Sequence, residues 1–200
     1  DYPVITYVDE NNLTVSWPTA TPGKITVSCG VGNTDTDATA TTHMTVDNDV
    51  AVSGCPGFII ANAGSGYAVG DVITVVGGTH TSQANANVSS VGGGGAVTGL
   101  TLNSGGSYTV LPATTACATS TNNSGNNLTV DLNFKVLLIE IDDPGDFQIT
   151  PTIEISAPAQ APGTPVGCTP TQATASIIMS GILSEIQVLS GGTGYKTIPT

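Results

Sequence analysis

The stretch Asn62 to Val75, N-A-G-S-G-Y-A-V-G-D-V-I-T-V, sets the reading of the whole chain, because its layout recurs three more times. Anchored on the aromatic, the copies are N-A-G-S-G-Tyr67, N-S-G-G-S-Tyr108, D-D-P-G-D-Phe147 and S-G-G-T-G-Tyr195, with a short polar residue (Asn62, Asn103, Asp142, Ser190) five positions upstream of each. Gly64 and Gly66, Gly105 and Gly106, and Gly191, Gly192 and Gly194 supply the turn, since glycine reaches positive φ without a steric penalty. The runs leading in alternate, Leu100 and Leu102 or Ile139 and Ile141 on one side and Thr101 or Glu140 on the other, which is the period of a half-buried strand. The aromatic enters the following strand as an apolar plug over the small glycines, and four positions later stands Asp71, Pro112, Pro151 or Pro199. Each copy therefore reads as strand, glycine turn, aromatic lock, strand. Aromatic spacings of 41, 39 and 48 residues predict a tandem unit of about 40 residues, within the range of repeat architectures.

Composition places the chain in the all-β class. Thr, Ser, Asn, Gly, Val and Ala dominate, and no long stretch carries helical periodicity. Residues 1–56 lack the repeat and read as a small β-sandwich-like module. Four short strands around Val4–Val8, Leu13–Trp17, Ile25–Cys29 and Thr42–Val46 are separated by turn-rich segments, and Trp17 is the expected core anchor. Residues 57–200 are the expected glycine-rich tandem β-repeat region. The last copy stops at Ile198-Pro199-Thr200, where earlier copies run on into a strand, so the repeats are expected to continue in a longer protein.

Charge excludes several partners. The formal net charge is −12, with Lys24, Lys135 and Lys196 the only cations and no arginine, whereas nucleic acid and anionic membranes are bound by clustered Lys and Arg. The greasiest run, Val136–Ile141, is strand length and far short of the roughly 20 residues that span a bilayer.

The search for chemistry returns little. His43 and His80 have no neighbouring cysteine or second histidine, and structural roles are expected for both. Gly64-Ser65-Gly66 is followed by a strand, so it is neither a nucleophile elbow nor a dinucleotide fingerprint. Asp142, Asp143 and Asp146 crowd one turn and are the candidate calcium ligands, but the regular spacing of a calcium loop is missing. Cys29, Cys55, Cys117 and Cys168 never form C-x-x-C, which disfavours zinc. Three pairings are open; the one that respects a boundary near Pro56 joins Cys29 to Cys55 and Cys117 to Cys168, and such disulfides would place the protein outside the reducing cytosol.

The segments A-N-A-N-V-S-S-V-G-G-G-G-A-V-T-G-L-T-L-N-S-G-G-S-Y-T-V-L-P (Ala84–Pro112) and A-T-A-S-I-I-M-S-G-I-L-S-E-I-Q-V-L-S-G-G-T-G-Y-K-T-I-P (Ala173–Pro199) resemble the glycine-rich repeats of tailed-bacteriophage structural proteins. The resemblance extends over Phe58–Thr200. It implies a non-enzymatic, homo-oligomeric part of a virion fibre or appendage, trimeric or filamentous. Bacterial extracellular filament subunits and adhesins carry similar repeats and are the alternative. A carbohydrate or cell-surface binding module, with Tyr67, Tyr108 and Tyr195 as platforms, is the second, and an enzyme the third. Ring exposure separates the glycan reading from the structural one, because a platform needs an exposed face and a lock a buried one.

Overall fold

The computed structural model describes residues 38–47, 56–147, 151–158, 169–179 and 182–199 in full, and the backbone alone of the strands within 4–27. The chain is all-β and antiparallel. In order the strands are β1 (Val4–Asp9), β2 (Asn12–Ser16), β3 (Lys24–Val27), β4 (Ala38–Val46), β5 (Phe58–Ser65), β6 (Val72–Val75), β7 (Thr79–Ser82), β8 (Asn85–Val91), β9 (Val97–Ser104), β10 (Ser107–Val110), β11 (Cys117–Thr121), β12 (Asn126–Leu132), β13 (Phe134–Asp143), β14 (Thr174–Met179) and β15 (Leu183–Ser190). Among the described residues the only helical piece is a 3₁₀ turn at Gly93–Gly95, and no helix is long and apolar enough to cross a membrane.

β1 and β2 form a hairpin of their own. A six-stranded sheet runs β5-β12-β11-β6-β8-β9, and a seven-stranded one runs β14-β15-β13-β4-β10-β7 with β3 also on β4. The six-stranded sheet curls until β5 and β9 come side by side, so it is nearly a barrel. The expected N-terminal strands are present, but residue 56 does not separate two sheets. β4 lies at the centre of the seven-stranded sheet, paired with β13 along its length, and residue 108 of β10 pairs with Met44. Trp17 lies outside the described residues.

One long ladder joins the two sheets. β4 and then β5 run along one side of it, β12 and then β13 along the other, from Thr39↔Asp143 through Val46↔Phe134 and Phe58↔Leu132 to Ser65↔Asn126. At the crossing point Asn133 replaces ordinary pairing. Its carbonyl accepts the Asp47 amide at 2.9 Å, its own amide donates to Gly57 O at 3.0 Å, and its side-chain amide donates to Pro56 O at 2.8 Å. A Cβ on Gly57 would stand 1.9 Å from Asp47 O, so only glycine lets the two strand ends approach. The joint also takes two of the three lysines. Lys135 Nζ lies 3.6 Å from the fully buried Asp47 carboxylate, and Lys196 Nζ donates to Leu132 O at 2.8 Å. Burial pushes the Lys196 ammonium below its ordinary range, with the charge of Asp131 pulling the other way.

The described residues do not confirm the expected 40-residue tandem unit; the recurrence they show lies between two halves. β3 pairs with β4 through Ile25↔Ala40 and Thr26↔Thr39, and β11 pairs with β12 through Cys117↔Val130 and Ala118↔Thr129. The β8–β9 hairpin holds Ala86↔Leu102, Asn87↔Thr101 and Val88↔Leu100; the β14–β15 hairpin holds Ala175↔Val188, Ser176↔Gln187 and Ile177↔Ile186. Gln83 Nε2 donates to Val75 O, and the Gln172 side-chain amide donates to Ile155 O. β3 to β5 and β8 to β10 of the first half thus have counterparts in the second, from β11 to Tyr195, while β6 and β7 have none among the described residues. The halves interlock: β5 of the first pairs with β12 of the second, and β13 of the second with β4 of the first.

Candidate functional site

The residues singled out by the turn pattern form four latches of one design. In each, a polar side chain, at the end of its strand in the last three copies and within β5 in the first, accepts the amide of the glycine two residues on: Asn62 Oδ1 from Gly64, Ser104 Oγ from Gly106, Asp143 Oδ1 from Gly145, and Ser190 Oγ from Gly192, at 3.0, 3.2, 3.1 and 3.4 Å. Those four glycines have φ of +60°, +68°, +62° and +60°. The polar residue faces Thr129, Asn85, Thr39 or Thr174 across the ladder, and each time the register slips at the next pair, where Ile60, Leu102, Ile141 or Val188 faces Val130, Ala86, Ala40 or Ala175. A bulge of this kind bends the strand; in the last three copies the strand ends at the polar residue, while β5 stays paired as far as Ser65↔Asn126. At Gly106 the space is closed on every side, since a Cβ would lie 2.6 Å from Ala84 N, 2.7 Å from Ser82 O and 2.7 Å from the Tyr108 ring.

Tyr67, Tyr108, Phe147 and Tyr195 are all buried, at 5%, 0%, 6% and 1% exposure. The residues just ahead of the bulge, Leu128, Ala84, Ala38 and Ala173, are buried as well. Two hydroxyls are in use. Tyr108 Oη accepts the Ala84 amide at 2.7 Å, and Tyr195 Oη accepts the Ala173 amide at 2.7 Å and donates to Ser156 O at 3.2 Å. The Phe147 copy alone suggests that the hydroxyl is dispensable; in these two latches it satisfies a buried amide. Burial pushes both phenols above their ordinary range, against the lowering effect of the backbone bond. The second and fourth latches dock alike on the central ladder. Gly105 O accepts the Val46 amide while residue 108 pairs with Met44, and Gly191 O accepts the Val136 amide while residue 195 pairs with Phe134.

Anchoring on the aromatic conceals one residue. The first and fourth turns hold a second positive-φ glycine, Gly66 and Gly194, directly before the ring, while the other two go straight from one residue to the aromatic. The capping residue is therefore Ser104 in the second copy and Asp143 in the third, and the expected Asn103 and Asp142 stand one position too early. Asp142 accepts the Thr41 hydroxyl at both carboxylate oxygens. With Asp143 holding the Gly145 amide, the three candidate calcium ligands do not converge, and among the described residues no three His, Cys, Asp or Glu side chains are placed to hold a metal. Asp71, which replaces the proline of the other copies, is buried and accepts from the Ala68 amide and the Asn123 side chain.

Cys117 is a free, buried thiol lying against Val76 O and Ala118 O at 3.7 and 3.6 Å, so the expected bond to Cys168 is not made. Burial raises its pKa. Cys29, Cys55 and Cys168 lie outside the described residues.

One polar cluster had no signal in the sequence. His43 Nδ1 lies 3.2 Å from Ser107 Oγ, and His43 Nε2 lies 3.1 Å from Glu140 Oε2, which ties β4, β10 and β13 together on the outward face of the sheet. The order serine, histidine, carboxylate is that of a nucleophile with its base and orienting acid. The setting is not, since the Glu140 side chain is 66% exposed and the Gly106 amide, the adjacent oxyanion donor along the chain, is held by Ser104 Oγ. His80 packs its ring 5.6 Å from that of Tyr108 at 59°.

No known protein family, curated protein or solved structure matches this chain.

Proposed function

We propose that the chain is a non-enzymatic structural subunit that assembles with copies of itself, as a trimer or filament, into a virion fibre or appendage. The observation that carries this is the outer part of the seven-stranded sheet. Its end strand β14, T-A-S-I-I-M, has no charge and no proline, the features that usually guard an edge. Ile178 on that strand, Ile182 in the hairpin turn, Leu189 on β15 and Leu137 and Leu138 on β13 are all 43% exposed or more. Exposed apolar side chains on these three outer strands, interspersed with Glu185 opposite Ile178 and Glu140 on β13, lie beside an edge strand that among the described residues pairs on one side only, and another subunit can cover them favourably.

The recurring residues support the same reading, because their polar atoms hold backbone amides and their aromatics are enclosed. Burial of Tyr67, Tyr108 and Tyr195 opposes their use as glycan platforms. The resemblance to phage glycine-rich repeats favours a virion over a bacterial extracellular filament. With Lys135 and Lys196 engaged at the joint, little positive charge is left to meet nucleic acid or an anionic membrane. Sedimentation velocity on the purified chain at micromolar concentration tests the proposal: discrete or open-ended oligomers are expected, and a compact monomer across the range would overturn it.

A further inference from the structure

We infer that copies of this chain join by exchanging the ladder that locks its own halves together, the β4–β5 side of one copy pairing with the β12–β13 side of the next. This deepens the assembly proposed above and rests on it. The chain already has the form of such an exchange closed on itself. Each half contributes one side of the central ladder and lacks the other, so β5 is completed by β12 and β13 by β4, and β11 of the second half, beside β12, pairs with β6 of the first and exchanges with it. The second and fourth latches dock on that ladder in matching fashion, one on β4 and the other on β13. All of these contacts are hydrogen bonds and packing, equally satisfied whichever copy supplies the strand.

The covalent link between the halves is short. β10 ends at Val110 and β11 begins at Cys117. Within the link, Pro112 favours an extended course, while Thr114 and Ala116 are already bound to the second half. Thr114 O accepts the Leu132 amide, and the Ala116 amide donates to Asp131 Oδ1 at 2.7 Å. Ala116 holds φ at +46°, a region L-residues avoid. A short, strained connection between two interlocking parts is the setting in which exchange between copies competes with closure within one. Exchange in both directions between two copies gives a closed dimer. Passed on from copy to copy it gives a ring if the rotation closes and a filament if it does not.

Ser65 and Asn126 provide the test, because they face each other across the ladder from opposite halves, exposed, with Oγ and Oδ1 3.3 Å apart. Full-length Ser65→Cys and Asn126→Cys variants are mixed in urea with reductant, refolded together at high concentration, separated by size and oxidised. Each chain carries one introduced thiol, so a bond between positions 65 and 126 is intermolecular by construction. Peptide mapping of the oligomer should show it in roughly tenfold or greater excess over 65–65 and 126–126 bonds, as expected when the fold holds the two thiols together. The double variant in a single chain is the control and should form the bond within the monomer. If it does not, Thr41→Cys and Glu140→Cys, register partners in the other part of the ladder, are read in the same way. Oligomers without the mixed bond would overturn strand exchange and leave self-assembly by face or edge packing standing. Monomers without it would overturn both.

Discussion

Removing single oxygens from the latches gives the sharpest test of how they work. Tyr108 is fully buried, its ring edge-on to Phe134 with centroids 5.8 Å apart, and its hydroxyl is the partner of the Ala84 amide. Tyr108→Phe keeps ring and volume but leaves that amide without an acceptor where water does not reach. An orphaned buried donor costs about 1–3 kcal/mol. The same holds for Tyr195→Phe and the Ala173 amide. Tyr67→Phe is the internal control, because among the described residues the Tyr67 hydroxyl makes no such bond; its effect should stay within about 0.5 kcal/mol. Full truncation, Tyr108→Ala, adds the lost ring and its cavity, about 3–5 kcal/mol, a large part of a typical folding free energy. Urea denaturation of the wild type and four variants at one pH measures the series, the midpoints being compared at unchanged slope. Equal, negligible losses for all three Phe variants would refute the claim that two of the hydroxyls satisfy buried amides. A loss at Tyr67 as large as at Tyr108 would refute the distinction between the latches.

Gly106→Ala, forcing a side chain at φ +68° into backbone atoms 2.6–2.7 Å away, should destabilise by about 2 kcal/mol or more in the same assay. Ala116→Gly should do the reverse, raising stability by up to about 1 kcal/mol as the left-handed strain is relieved against the greater flexibility of glycine. Alkaline pH should unfold the protein. The Cys117 thiol and the Tyr108 and Tyr195 phenols are all raised by burial, so their contribution is complete below the ordinary values of 9.0 and 10.0 and is lost as pH climbs past them. Lys196, lowered by burial, works the other way, and Lys196→Met should steepen the alkaline loss. Cys117 should resist alkylation in the native protein and react on unfolding; rapid native reaction would contradict its burial.

The latches were legible in the sequence because their chemistry is local. Positive φ selects glycine, a short polar side chain caps the turn two residues away, and a large ring must cover the gap, all within Asn62–Tyr67 or Ser190–Tyr195. Pairing was not legible, because alternation marks a strand without naming its neighbour. The aromatic spacing near 40 residues reflects two latches in each of two halves; β5 and β13 find their partners across the molecule and not within a unit. The same limit explains residue 56. The composition changes there, yet hydrogen bonding carries the ladder past it through Asn133 and Gly57. The one-residue slip in the second and third copies escaped because a ring makes a stronger anchor than a serine or aspartate. His43, Ser107 and Glu140 come from three strands far apart in the chain and meet only through the sheet register, as do Asp47 and Lys135.

The central claim, that this fold is a building unit, is tested most directly by negative-stain images of the purified full-length chain at micromolar concentration. The account predicts particles of uniform multimeric shape or filaments with a regular axial repeat. Fields of isolated particles no larger than one chain, unchanged on concentration, would contradict it.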